Sequence, residues 1–93
     1  MARARQVSKD REQELIERYV DPDVDRYGGR ADARLKDSGV SVWAIVMFLP
    51  IYDNDLDKIA EHFVLSREEV DAAMAYYRRN KRYVDARVTL NEA

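Results

Sequence analysis

Residues 53–57 read DNDLD, and aspartate at alternate positions is how an EF-hand calcium loop begins. That loop also requires glycine at its sixth position and a bidentate glutamate at its twelfth, where this chain has Lys58 and Val64. A helix-capping loop explains the aspartates better than a metal site does. We therefore expect neither a metal nor another cofactor.

A catalytic nucleophile or general base has little support in the chain. The single histidine, His62, lies between Glu61 and Phe63, there is no cysteine, and no serine stands in a nucleophile-elbow motif. We expect His62 to be a partly exposed surface residue. The sequence predicts a protein that is not an enzyme.

Basic residues lie on both sides of an acidic centre. Sixteen Lys and Arg against eighteen Asp and Glu give a formal net charge of -2, unlike the basic balance of a dedicated nucleic-acid binder. Residues 1–11 and 78–82 are basic, although a basic helix end explains the second cluster equally well. Phosphate neutralisation supplies much of DNA affinity. The candidate DNA-binding residues are Arg3, Arg5, Arg67, Arg78, Arg79, Lys81 and Arg82.

Residues 56–77 have the hydrophobic pattern of a helix-turn-helix. Ala60 is the small residue where two steeply crossing helices would touch. The shared core would consist of Ile59, Phe63, Leu65, Val70 and Ala73. Val64 stands where such turns often have glycine, so we expect another turn geometry or a longer turn. Arg67 is the one basic residue among the acidic residues in the exposed first turn of the second helix. A first turn with this composition is poorly suited to reading the DNA major groove. A generic helical bundle is the alternative.

Tyrosines and an aliphatic tail indicate a protein-binding surface. Tyr76 and Tyr83 are seven residues apart on one predicted helix face, and tyrosine flanked by arginine is typical of interfaces. Packing of these tyrosines along the N-terminal helix of the same chain is an equal alternative. The tail over 83–93 is expected to dock on a partner or to fray. The candidate partner-binding residues are Tyr76, Tyr83, Val84, Arg87, Val88 and Leu90.

One small domain over residues 1–93 must position all these side chains, because the chain is too short for two cores. The longest apolar run, residues 40–51, is shorter than the roughly 20 residues that a membrane span needs. The basic start has no apolar stretch behind it, so it does not predict a secretory signal. These features predict a soluble cytoplasmic protein.

Local signals divide the chain into elements. Ser8 is expected to cap an N-terminal helix over 8–21, after a basic arm over 1–7, and Pro22 ends that helix. Alternating apolar and charged residues before the turn signal DSG predict a β-hairpin over 30–42.

The remaining chain, residues 42–82, is predicted to form three helices. A wholly apolar buried helix covers Val42–Leu49, a second covers Leu56–Phe63 with Asn54 or Asp55 as its cap, and a third runs from Arg67 past Asn80. Ser66 followed by Glu69 forms a capping box, in which each side chain binds an otherwise unpaired backbone N–H.

Several short motifs occur in an order that resembles the bacterial domain of unknown function 433 family, also described as VapB-like antitoxins. The similarity covers Tyr19 to Val88. It rests on Asp21-Pro22 with the following glycine pair, the element VSVWAI, an I-A-x-x-F segment, a capped L-S-x-E-x-V, and A-x-x-Y-Y followed by Asp85. Many members have Gly-Thr-Arg where this chain has Asp37-Ser38-Gly39, and proline in the turn where it has Val64.

The resemblance implies a mainly α fold, in which an N-terminal helix and a short β-hairpin precede a three-helix, homeodomain-like helix-turn-helix unit. It also implies a homodimer that binds its own DNA operator as an autorepressor and neutralises a PIN-like nuclease toxin. Arg82 or Arg87 would reach the acidic active site of that toxin. The alternative is a protein-interaction or dimerisation module of the same fold that does not bind DNA.

Overall fold

The computed structural model describes the backbone of residues 2–21 and 29–92, and the side chains of residues 10–21 and 29–92. Within these ranges the chain is mainly helical, with a short two-stranded antiparallel sheet. In chain order the elements are α1 (Ala2–Tyr19), β1 (Val20–Asp21), a 3₁₀ helix (Arg30–Asp32), β2 (Arg34–Leu35), α2 (Val42–Met47), α3 (Leu56–Phe63), α4 (Arg67–Arg79) and α5 (Lys81–Glu92).

α1 begins earlier than the sequence predicted. It starts at Ala2, so Ser8 lies inside the helix rather than at its cap, and most of the expected arm over 1–7 is helical. The segment ARARQ consists of good helix formers, which explains the extension. α1 ends at Tyr19, before the β-branched Val20 that opens β1. Pro22, which was expected to end this helix, lies outside the described residues.

The predicted hairpin over 30–42 forms only in part. β2 pairs with β1, with Val20 opposite Leu35, while its contact with the following segment is a single bridge between Arg34 and Ser41. Its two edges bind different neighbours, because the Leu35 N–H donates to the Val40 carbonyl and the Lys36 N–H donates to the Tyr19 carbonyl, each at 2.8 Å. The strand expected before Arg34 was wrong, since residues 30–32 form the 3₁₀ helix.

The start of α3 and the turn after it have clear local causes. The Asp55 carboxylate caps α3 by accepting from the N–H groups of Asp57 and Lys58, at 3.1 and 3.2 Å. After α3, Val64 adopts the left-handed conformation, with φ 56° and ψ 51°. The Leu65 N–H donates to the Ala60 carbonyl at 2.8 Å, as in a Schellman motif. The turn therefore has the left-handed geometry that glycine favours, although the residue is valine. The expectation that Val64 would give another turn geometry or a longer turn was wrong.

The capping box of α4 is confirmed, because the Ser66 side chain accepts from the Glu69 N–H and the Glu69 carboxylate accepts from the Ser66 N–H. The expected continuous helix past Asn80 was wrong. Asn80 leaves helical geometry at φ -130°, and its side-chain amide donates to the Tyr76 carbonyl at 3.0 Å. This local bond competes with the helix and separates α4 from α5. The tail after the break forms the separate helix α5, which continues to Glu92.

α4 is the central element of the fold. It contacts α1, α2, α3, α5 and β1. Six of its thirteen residues are buried, namely Val70, Ala72, Ala73, Met74, Ala75 and Tyr76. The three alanines allow neighbouring helices to pack closely on several sides. α2, expected to be apolar throughout, packs Val42, Ile45 and Val46 into the same core and ends at Met47.

No helix within the described ranges has both the length and the apolar character required to cross a membrane.

Candidate protein-interaction surface

The first turn of α4 is occupied by contacts within the chain. The Tyr19 hydroxyl donates to one Glu68 carboxylate oxygen at 2.6 Å, and the Arg11 guanidinium lies 3.5 Å from the other. The hydrogen bond with Tyr19 lowers the pKa of Glu68 and raises that of Tyr19. Arg67 is held by Asp57 at 2.8 Å and Asp71 at 2.9 Å. The start of α4 therefore presents a network of paired charges.

The basic end of α4 is likewise paired with α1. Arg78 binds the Glu12 carboxylate at 2.6 Å, and Arg79 lies 3.5 Å from the same group while also donating to the Gln13 side-chain oxygen. The hydrogen bonds of Arg78 with Glu12 and of Arg79 with Gln13 each join residues 66 positions apart in the chain. The residues next to Arg78 and Arg79 in the sequence do not indicate that these arginines have a carboxylate partner on α1.

Lys81 completes a small network at the start of α5. Its ammonium group lies 2.6 Å from Asp85, which also accepts from the Tyr77 hydroxyl at 2.6 Å. Lys81 and Tyr77 together hold the pKa of Asp85 below its ordinary value. The pKa of Lys81 is raised chiefly by its hydrogen bond with Asp85, and that of Tyr77 chiefly by burial.

Two predicted DNA-binding side chains, Arg3 and Arg5, lie outside the described residues. Arg82 is exposed and forms no hydrogen bond or ion pair with the described part of the chain. The other predicted DNA-binding residues all have partners within the chain, as described above. The structure thus spreads the basic residues over α1, α4 and α5 and engages most of them internally.

The predicted tyrosine stripe is divided by the break at Asn80. Tyr76 is buried, with 4% of its surface exposed, and its hydroxyl donates to the Arg30 carbonyl at 2.7 Å. Burial raises its pKa. Tyr83 is 51% exposed. The expected shared, exposed face of Tyr76 and Tyr83 was therefore wrong, because α4 and α5 are not one continuous helix.

Three of the six predicted partner-binding residues line one open groove between the 3₁₀ helix and α5, with a volume of about 610 Å³. They are Tyr83, Arg87 and Leu90; the groove is completed by Ala31, Asp32, Arg82 and Ala86. Val84 is instead buried, and Val88 packs against the core. The sequence showed that the tail is rich in aliphatic residues. It did not show that Val84 and Val88 face the core while Leu90 faces the groove.

Ion pairing and aromatic contacts hold the groove in shape. The Arg87 guanidinium binds Asp32 at 2.8 Å and lies over the Trp43 ring at 4.6 Å from its centroid. Arg30 lies over the Tyr83 ring at 5.4 Å. Arg87 therefore positions α5 against the 3₁₀ helix and α2. Among the arginines that the resemblance singled out, Arg82 is the one whose charge is left without a partner in the described chain.

An apolar stripe runs along the outer face of α5. Tyr83, Ala86 and Leu90 follow the i, i+3, i+7 spacing of one helix face, and all three are exposed. Leu90 is 71% exposed, and with Tyr83 and Ala86 it forms one contiguous apolar stripe rather than a single exposed residue. Val84 and Val88 attach α5 to the core, and within the stripe Tyr83 contacts Arg30.

His62 is exposed, as expected, but it belongs to an aromatic cluster that the sequence did not predict. Its ring lies 4.4 Å from the Phe48 centroid and 4.9 Å from that of Phe63, and its Nδ1 is 3.0 Å from the Tyr52 hydroxyl. Within the described residues, no group of His, Asp and Glu side chains could hold a metal ion.

No protein-family model, curated protein or solved structure matches the chain.

Proposed function

We propose that the protein is a protein-interaction module that binds its partner through the α5 groove and stripe. The observation that carries the proposal is the exposed stripe of Tyr83, Ala86 and Leu90 beside a groove lined by Arg82, which has no partner among the described residues. Tyrosine, arginine and apolar anchors next to a concavity are typical of protein interfaces.

The environment of α4 supports this function over DNA reading. A recognition helix places its first turns in the major groove and needs an open outer face. Half of α4 is buried, and α1 covers part of the remainder through Glu68, Arg78 and Arg79. The acids at its exposed start would also repel phosphates.

Coexpression with the product of a neighbouring reading frame tests the proposal. We expect a complex with the wild-type chain that is lost in the double variant Tyr83→Ala/Leu90→Ala. Ile51→Ala is the matched control, because Ile51 is also exposed, at 64%, but lies outside α5. A complex unaffected by the double variant, or the absence of any complex in solution, would overturn the proposal.

DNA binding by an antitoxin is the second candidate function. The exposed basic run around the break between α4 and α5, from Arg78 to Arg82, favours it. A homeodomain-like arrangement, a PIN-like nuclease partner, an operator and a cytoplasmic location belong to this proposal through the family resemblance. Binding to the upstream DNA that weakens steeply with salt would support it. No binding at low salt would exclude it.

A further inference from the structure

A single residue separates α4 from α5. α4 ends at Arg79, α5 begins at Lys81, and between them Asn80 leaves helical geometry with φ -130° and ψ 33°. The Asn80 N–H still donates to the Tyr76 carbonyl at 3.0 Å, which is the bond that a helix has at this position. A change in the backbone angles of Asn80 alone therefore joins the two helices, and domain hinges consist of few such residues.

Few buried groups attach α5 to the rest of the fold. Of its twelve residues, all of which the structure describes, Val84 is the one that is buried. Val88 packs against the core from a partly buried position, and Arg87 contacts Asp32 and Trp43. An element with few buried apolar contacts opens locally without unfolding of the rest of the domain.

We propose that α5 is a hinged flap, which turns about Asn80 between the docked position and an open position in which α4 and α5 form one continuous helix. In the open position residues 67–92 span about 39 Å, and α5 no longer contacts α2 or the 3₁₀ helix. The groove between the 3₁₀ helix and α5 exists only in the docked position. The inference rests on the proposed function and gives its regulation, because opening removes the groove beside the stripe.

One hydrogen bond belongs to the docked position alone. The Tyr77 hydroxyl donates to the Asp85 carboxylate across the break at 2.6 Å. In a continuous helix these residues lie about 12 Å apart along the axis, and the tyrosine points back towards the N-terminus, away from the aspartate. The ion pair of Lys81 with Asp85 has i, i+4 spacing and fits both positions. Tyr77 is therefore the clasp of the flap.

Three substitutions separate the two positions. Asn80→Ala and Asn80→Gly both remove the side-chain amide that donates to the Tyr76 carbonyl. Alanine favours a helix over glycine by about fivefold in population, so Asn80→Ala should favour the open position and Asn80→Gly is the matched control. Tyr77→Phe removes the clasp and leaves Asn80 unchanged, so it should also populate the open position.

The distance between two spin labels measures the open fraction, because the chain has no cysteine of its own. The labels are attached through Glu61→Cys in α3 and Thr89→Cys in α5, two exposed positions. In the open position Thr89 lies about 33 Å along the helix from the start of α4, so opening adds a longer distance to the docked one. We expect the longer distance to be about fivefold more populated in Asn80→Ala than in Asn80→Gly.

A single docked distance in both Asn80→Ala and Tyr77→Phe, or equal open fractions in the two Asn80 variants, would overturn the inference. If Asn80→Ala loses helix content by circular dichroism, the comparison of Tyr77→Phe with the wild type decides.

Coexpression with the product of the neighbouring reading frame separates failure of this inference from failure of the proposed function. Less complex with Asn80→Ala than with Asn80→Gly supports regulation by the flap, and equal amounts overturn that role. A docked distance alone, with a complex that requires Tyr83 and Leu90, removes the flap and leaves the proposed function standing. A complex that does not require these two residues removes the proposed function, whatever the distances show.

Discussion

Val64 holds a conformation that its side chain disfavours. It is β-branched, it has a positive φ of 56°, and 90% of its surface is exposed. For an L-residue the left-handed conformation costs about 1–2 kcal/mol, and exposure means that little packing offsets this cost. The hydrogen bonds that close the turn after α3 keep the residue there.

Val64→Asn should therefore stabilise the fold by about 1 kcal/mol, since asparagine tolerates positive φ and does not loosen the unfolded chain as glycine would. Urea unfolding measures the change. Val64→Ala is the control and should gain less, because alanine lacks the short polar side chain through which asparagine tolerates positive φ. An unchanged or lower midpoint for Val64→Asn would show that Val64 is not strained.

Asp85 gives the stability of the protein a specific dependence on pH. Its pKa in the folded chain lies below the ordinary value of 3.8 because of Lys81 and Tyr77. Its contribution is therefore complete above that value and is lost as the pH falls through the lowered pKa. The Asp85 side chain is 43% exposed, so solvent screening keeps the effect small.

We expect Asp85→Asn to flatten the fall in unfolding free energy below pH about 4. Asp37→Asn, at an exposed turn, is the control and should leave the slope closer to that of the wild type. Equal slopes for wild type and Asp85→Asn, measured by urea titration at several pH values, would contradict the assigned role of Asp85.

Elements whose signals are local could be predicted from the sequence. α3 and the start of α4 match because Asp55, Ser66 and Glu69 bind backbone groups within three residues of themselves. The pairing of β1 with β2 could not be predicted, because it joins segments about fifteen residues apart. The break at Asn80 depends on one side-chain hydrogen bond that competes with an otherwise helical pattern.

The capping box of α4 should contribute measurably to the free energy of unfolding. Ser66→Ala removes the acceptor for the Glu69 N–H and should cost about 1 kcal/mol. Ser66→Asp keeps a capping acceptor and should remain within about 0.5 kcal/mol of the wild type. Thermal or urea unfolding compares the three proteins, and equal losses for both variants would mean that the cap is not what stabilises α4.

α1 should be held by apolar packing more than by its exposed ion pairs. Leu15 is buried, so Leu15→Ala should cost about 2–3 kcal/mol. Glu12→Ala breaks the contacts with Arg78 and Arg79 but should cost less than about 1 kcal/mol, and less still at high salt. The reverse order of these losses in urea unfolding would contradict the account.

At the scale of the whole molecule, the sequence located the candidate surface only in part. Tyr83, Arg87 and Leu90 line the groove, whereas Tyr76 and Val84 are core residues. Helical periodicity alone could not decide which side of the tail faces the core, because α5 has apolar residues on two faces. The packing of α5 against α2 and the 3₁₀ helix determines which of its residues are buried and which are exposed.

Burial of α4 and internal pairing of its basic residues leave α5 as the candidate binding surface among the described residues. Amide chemical-shift mapping tests this claim most directly, by adding the product of the neighbouring reading frame and, separately, upstream duplex DNA at physiological salt. We predict that the protein partner shifts resonances in α5 and the 3₁₀ helix, and that DNA shifts none. Shifts confined to α3 and the start of α4 on DNA addition, with α5 unchanged in both titrations, would contradict the account.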